Sequence, residues 1–309
     1  LVHPLSAVLI SLLLNISYKV LIEEKDKKFL KSTFSQYISP ELIDIMYEEK
    51  TTPQLGGSSD ILTAYFTDIQ GFSSFSEKLT ASQLVELLNE YLTTMTDILT
   101  SARGTLDKYE GDAIIAFFGA PMKLPDNAVR ACRVALEMQA ALGNLREKWK
   151  NEKSDEDRNT KKVPASDWVP GYKWPVIVHD MRMRIGLNTG EIVTGNMGSK
   201  MRMNYTMMGD SVNLAARLES GAKQYGVYTM MSEYTYEFEY TDEDGVKHRL
   251  KDLFEVRFLD KLTVVGKSLP VSVFELIALK GQLTEEQARM LKTFKEGMDL
   301  YQETKWDEA

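Results

Sequence analysis

The chain has 309 residues, 43% hydrophobic and 27% charged, enough for one large folded domain with appendages. A net charge of −8 argues against a general nucleic-acid surface, and an acidic protein that binds an anionic ligand needs local positive charge, which metal ions would supply. Its one cysteine, Cys132, excludes an intrachain disulfide, fits a reducing compartment, and reads as core rather than nucleophile.

Leu5–Leu14 is apolar apart from Ser6 and Ser11, and apolar character continues with breaks to Ile22. Lys19, Lys25, Lys27 and Lys28 stand where a cytoplasmic flank would carry them. Residues 1–22 are expected to be the end of a transmembrane helix, and the domain that follows is expected to be cytoplasmic and membrane-anchored through its N-terminal side. A buried or coiled-coil helix is the alternative. Residues 23–58 read as a connecting helix and linker. They carry a sparse stripe through Phe29, Leu30, Phe34 and Tyr37, a helix start at Ser39-Pro40, and a Thr-, Gly- and Ser-rich stretch from Thr51.

The main folded domain is expected over 59–280. Ile61–Ile69 is a nearly continuous apolar run, which predicts a strand buried on both faces. Thr80–Gln83 has capping-box spacing, and Leu84, Leu87, Leu88, Tyr91, Leu92 and Met95 follow at helical spacing as far as Gly104. Thr105–Tyr109 and Ala113–Phe118 predict a hairpin, and a second long helix starts near Pro125-Asp126. Residues 149–180, charged and then rich in Pro and aromatics, predict a surface insertion. Met181–Leu187 and Tyr205–Met208 read as strands, Gly209-Asp210-Ser211 opens a helix, and a strand-rich tail ends at Val271–Ile277. This order is α+β with a βαββαβ heart and helices covering the sheet. Residues 281–309 form a terminal helix whose Phe294, Tyr301 and Trp306 look like the start of a tetratricopeptide-type repeat. A plain amphipathic helix is the alternative.

Asp68 ends the first apolar run and Asp112 sits in the tight connection of the hairpin. Each is at a strand edge, where a side chain can leave the core and face a ligand. Two such carboxylates can hold two hard divalent cations on phosphate oxygens, with positions left for substrate. Asp is also a good turn residue, which explains either position alone but not both flanking patterns.

Four motifs in order resemble the class III nucleotide cyclases. They are Phe66-Thr67-Asp68-Ile69-Gln70-Gly71-Phe72-Ser73, Lys108-x-x-Gly111-Asp112, Arg184-Ile185-Gly186-Leu187-Asn188-Thr189-Gly190, and Thr206-x-x-Gly209-Asp210-x-x-Asn213-x-x-x-Arg217. The resemblance covers about residues 55–280. It implies the ferredoxin-like core of that fold with extra C-terminal strands, in a head-to-tail homodimer with composite sites. It implies that Asp68, Asp112 and the Ile69 carbonyl hold two Mg²⁺ or Mn²⁺, and that the amides of Gly71, Phe72 and Ser73 face phosphate. It implies that Asn213 orients the ribose and Arg217 stabilises charge at the α-phosphate, while Arg184 and Lys267 grip the outer phosphates, with Lys261 a weaker candidate. It further implies that Lys108 and Thr206 choose the purine. A Lys donates to adenine N1 and is repelled by the guanine N1 donor, and a Thr oxygen accepts from the adenine amino group. The expected substrate is therefore ATP, turned into 3′,5′-cyclic AMP and pyrophosphate in signal transduction. Arg184 also has a plain reading as an ion-pair partner, and Lys267 as a surface Lys. The rivals are a guanylate cyclase, a non-catalytic cyclase-like module and a palm-type polymerase. The retained Asp68, Asp112, Asn213 and Arg217 argue against the module, and the acidic charge argues against the polymerase.

Overall fold

The computed structural model describes residues 11–15, 17–18, 25, 54–154, 167–263 and 270–306. The chain divides into two compact units, Leu1–Gln54 and Leu55–Ala309. In the first, residues 11–15, 17, 18 and 25 are helical. The expected membrane helix over 1–22 and connector over 23–58 lie largely outside the described residues, among which no helix is long and apolar enough to cross a membrane.

The second unit begins with β1 (Gly56–Ile69), the single-turn α1 (Phe72–Ser76) and α2 (Ala81–Ser101). The hairpin β2 (Thr105–Glu110) and β3 (Ala113–Phe118) leads to α3 (Asn127–Asn151) and α4 (Val176–His179). Next come β4 (Met183–Ser199), β5 (Arg202–Met208), α5 (Asp210–Tyr225), β6 (Thr229–Ser232) and α6 (Glu233–Tyr236). A small hairpin, β7 (Glu239–Thr241) and β8 (Lys247–Arg249), precedes β9 (Phe254–Leu262), β10 (Val271–Leu279) and α7 (Glu285–Gln302). The main sheet runs β2-β3-β1-β4-β6-β10-β9, with β5 also pairing β4. This is the expected α+β architecture with its βαββαβ heart and added C-terminal strands.

Local chemistry explains the main elements. Leu62, Thr63, Ala64 and Tyr65 are all buried, so both faces of β1 are covered, as a continuous apolar run requires. Thr80 and Gln83 close a reciprocal capping box that starts α2. Leu87, Tyr91, Met95 and Leu99, one per turn, are fully buried against the sheet and α3. Burying a Leu or Met in this way stabilises by roughly 1.5–3 kcal/mol each, as an upper estimate. Cys132 lies in the same core, where burial pushes its thiol far above the usual range.

Two expectations need correction. Residues 56–58 belong to the sheet rather than to a linker. Gly56–Ser59 pair with Val193–Asn196, because the long β4 would otherwise leave a row of backbone groups without partners. The insertion over 149–180 is anchored at both described ends rather than lying wholly on the surface. Trp149, Trp168, Trp174 and Val178 are buried. Trp149 Nε1 donates to Glu90 Oε2 at 3.0 Å and Trp174 Nε1 to Glu152 Oε2 at 2.9 Å, so each indole buries its apolar body while its N–H finds a carboxylate. Lys173 joins Glu152 to Glu86 of α2, the latter at 2.9 Å. Residues 155–166 lie outside the described residues.

Candidate active site

The two aspartates meet at one edge of the sheet. The turn between β2 and β3 is tight because Gly111 sits at φ 67°, a conformation that a side chain resists. That turn presents Asp112 to the end of β1, where its Oδ2 accepts the Ile69 N–H at 2.8 Å. Thr67 Oγ1 accepts the Ile114 N–H at 3.1 Å and ties the hairpin to β1 beside it. The Asp112 residue is 6% exposed. Burial raises its carboxyl, the Ile69 hydrogen bond opposes this, and the charge of Asp68 raises it further, to about 6.

Asp68 stands opposite Arg184 in the β1–β4 ladder. The Arg184 guanidinium bridges two acids, with Nη2 on Asp68 Oδ2 and Nε on Glu219 Oε1 at 3.0 Å. Burial, and then the Asp68 charge, pushes Glu219 up. Arg184 thus stands in an ion-pair bridge beside the two aspartates. The bridge depends on Gly186. A Cβ there would stand 2.3 Å from both the Ala215 oxygen and the Glu219 nitrogen, so only glycine lets α5 lie this close to β4.

Hard divalent cations fit this edge. Asp68 and Asp112 supply oxygen donors, one partly exposed and one buried, and the Asp68 charge opposes ionisation of Asp112, which a cation would relieve. Among the described residues no group of three or more His, Cys, Asp or Glu could hold a metal. Two carboxylates and a backbone carbonyl such as that of Ile69 leave positions open, as a catalytic site requires. Gly71, Phe72 and Ser73 follow directly, with Phe72 and Ser73 opening α1.

Lys108 and Thr206 come together at a second place. Thr206 lies on β5, which folds back along β4, and its hydroxyl donates to Asp107 Oδ2 at 2.5 Å. Lys108 Nζ is 3.5 Å from Asp107 Oδ1. Asp107 is the residue missed by sequence reasoning. Its side chain is 2% exposed, and Oδ1 is buried without a hydrogen-bond partner. A charged residue beside a candidate base-reading Lys is the signal that was available.

Asn213 and Arg217 lie one turn apart on α5, both on its exposed side, while Leu214, Ala215 and Leu218 face the core. Lys261 is exposed near the end of β9. Lys267 lies outside the described residues.

The sheet thus carries two carboxylates at the end of β1, and Lys108 and Thr206 on one buried carboxylate elsewhere. Residues 57–272 match the adenylate and guanylate cyclase catalytic domain, and the chain belongs to that family. An adenylate cyclase of Anabaena cylindrica is 30% identical over 271 residues, covering 86% of this chain and 45% of that protein. The solved adenylyl cyclase CyaB of P. aeruginosa is 30% identical with a TM-score of 0.57, over 74% of this chain and 100% of that one. The solved guanylyl cyclase Cya2 is also 30% identical, with a TM-score of 0.55, over 74% and 98%. The chain spans less than half the length of the curated relatives it matches. Adenylyl and guanylyl relatives share this fold, so the choice of base rests on particular side chains.

Proposed function

We propose that this domain converts ATP to 3′,5′-cyclic AMP and pyrophosphate. The observation that carries the reading is the meeting of Lys108 and Thr206 around one buried carboxylate, in a set complementary to adenine. Lys108 offers a donor to adenine N1, and Thr206 offers an oxygen to the 6-amino group.

The remaining roles are those that the resemblance to the cyclase family implies, each within the reach of its residue's chemistry. Asp68, Asp112 and the Ile69 carbonyl would hold two divalent ions, Mg²⁺ or Mn²⁺. When bound, such ions supply Lewis acidity toward the ribose 3′-hydroxyl and neutralise the triphosphate. Attack on the α-phosphate gathers negative charge there, and Arg217 is the fixed cation that would lower its cost. Asn213, four residues earlier on the same helix face, would orient the ribose. The amides of Gly71, Phe72 and Ser73 would receive phosphate oxygens. Arg184, with Lys267, would bind the outer phosphates. In that role Arg184 would leave Asp68 while Glu219 would keep its Nε.

Within one chain Lys108 pairs with Asp107, while Asp68 and Asp112 gather at the end of β1. A head-to-tail homodimer would bring one chain's metal edge to the other's base-reading groups, giving two composite sites. In the same reading the domain works on the cytoplasmic side of a membrane, attached through the apolar segment near its N-terminus. Release of the full-length protein from membranes by alkaline carbonate alone would refute that attachment.

The test of the reaction is incubation with ATP and Mn²⁺, followed by mass spectrometry of products from wild type, Asp68→Ala and Asp112→Ala. The reading expects cyclic AMP and pyrophosphate from wild type and a loss of at least about a hundredfold in either variant. Undiminished turnover in the variants would overturn the metal assignment. Wild-type dimer that yields no cyclic nucleotide would overturn the reaction.

A further inference from the structure

Asp107 does more than fill a strand. In the β2–β3 ladder Leu106 faces Ala116 and Lys108 faces Ile115, so Asp107 has no opposite residue and forms a β-bulge. Neighbouring side chains on a regular strand point to opposite faces. A bulge breaks that alternation and re-aims a side chain. Here it lets the Asp107 carboxylate sit against both Lys108 and Thr206, with Oδ2 accepting the Thr206 hydroxyl at 2.5 Å and Oδ1 3.5 Å from Lys108 Nζ.

We propose that Asp107 is a specificity-determining positioning residue that fixes the polarity of the Thr206 hydroxyl and so makes the site accept an amino group at purine C6. The proposal rests on the ATP reading given above. A threonine hydroxyl has one proton and two lone pairs, and unaided it can donate or accept. A carboxylate only accepts. Once the proton is committed to Asp107 Oδ2, the rest of the Thr206 oxygen is acceptor-only. It then welcomes the adenine 6-amino group and repels the guanine 6-oxo group, which also only accepts. Without Asp107, Thr206 would serve either base and Lys108 alone would discriminate. The second carboxylate oxygen supports this assignment. Oδ1 is buried without a hydrogen bond, an arrangement folded proteins seldom keep at a group of no consequence. Its neighbour is the Lys108 ammonium, which it holds at the edge of the same cluster while leaving protons for the base.

The experiment compares kcat/KM for ATP, GTP and purine riboside 5′-triphosphate, which is ATP without its 6-amino group. The proteins are wild type, Asp107→Asn, Thr206→Val and the double variant. A carboxamide can donate as well as accept, so Asp107→Asn releases the hydroxyl from its fixed role. Expected is a loss of roughly tenfold with ATP and a change within about twofold with the des-amino nucleotide. The ATP:GTP preference falls by a similar factor. In the Thr206→Val background Asp107→Asn adds less than about twofold, because both changes remove one interaction. Equal loss on ATP and the des-amino nucleotide would show that Asp107 only holds the strand, and would overturn the proposal. Thr206→Val must itself show the nucleotide-dependent loss. If it does not, the proposal falls even where Asp107→Asn does not fold. Wild type that prefers GTP would instead overturn the adenine reading beneath it, an outcome distinct from an ATP-preferring enzyme insensitive to Asp107.

Discussion

At Asp112, burial and a neighbouring carboxylate both oppose ionisation, while hydrogen bonds from the Ile69 amide and from its own backbone amide favour it. The folded carboxyl sits at about 6, above its ordinary value of 3.8. An acid that binds its proton more tightly when folded stabilises the fold at low pH and loses that contribution as pH rises. Metal-free protein, kept in chelator, should therefore lose on the order of 2 kcal/mol through this group between about pH 4 and pH 6. Asp112→Asn, which cannot ionise, should not show that fall. Denaturant titrations of both proteins across this window check it, and parallel curves would contradict it. Residue types at the metal edge are legible in the sequence, because Asp68 and Asp112 each stand beside a strand end and Gly111 marks a turn. The setting of Asp107 is not. Its bulge comes from the pairing of β2 with β3, and its burial from β5 folding back over it, neither of which a local pattern carries.

Among the elements, α5 does most to organise the site. Its buried face packs Leu214, Ala215 and Leu218. Its exposed side carries Asn213 and Arg217, and Glu219 reaches Arg184 on β4. Gly186 sets the separation of α5 from β4. Gly186→Ala places a methyl against backbone rather than a flexible side chain, so α5 must shift. Stability should fall by about 1–3 kcal/mol, and activity should fall further than fold stability explains, because α5 carries Asn213 and Arg217. Urea denaturation together with kcat at fixed folded fraction measures both, and unchanged values for each would contradict the packing argument. Helix and strand spans are legible where periodicity is strong, as in α2 and β1. The insertion reads as surface because its charged and proline-rich composition hides three buried tryptophans, Trp149, Trp168 and Trp174; the Trp149 N–H finds Glu90 on α2 and the Trp174 N–H finds Glu152 at the insertion's own base.

For the whole molecule, the proposed composite site makes a quantitative prediction. Asp68→Ala lacks the metal edge and Arg217→Ala lacks the charge-stabilising group, so each homodimer should be inactive. Mixed dimers would carry one site with both defects and one with neither. Random exchange makes half of the dimers mixed, and half of their sites are intact, so a mixture should recover about a quarter of wild-type activity. No recovery after demonstrated subunit exchange would place both groups in one chain's site. The βαββαβ order and the motif order together are legible in the sequence, and the family match over residues 57–272 agrees with both.

Fold and family leave base choice to particular side chains, since adenylyl and guanylyl cyclases share both. Equimolar ATP and GTP should therefore be offered together with Mn²⁺, and cyclic AMP and cyclic GMP counted in the same sample. The Lys108, Thr206 and Asp107 cluster predicts cyclic AMP in excess of at least about tenfold. Cyclic GMP in equal or greater amount would contradict the account.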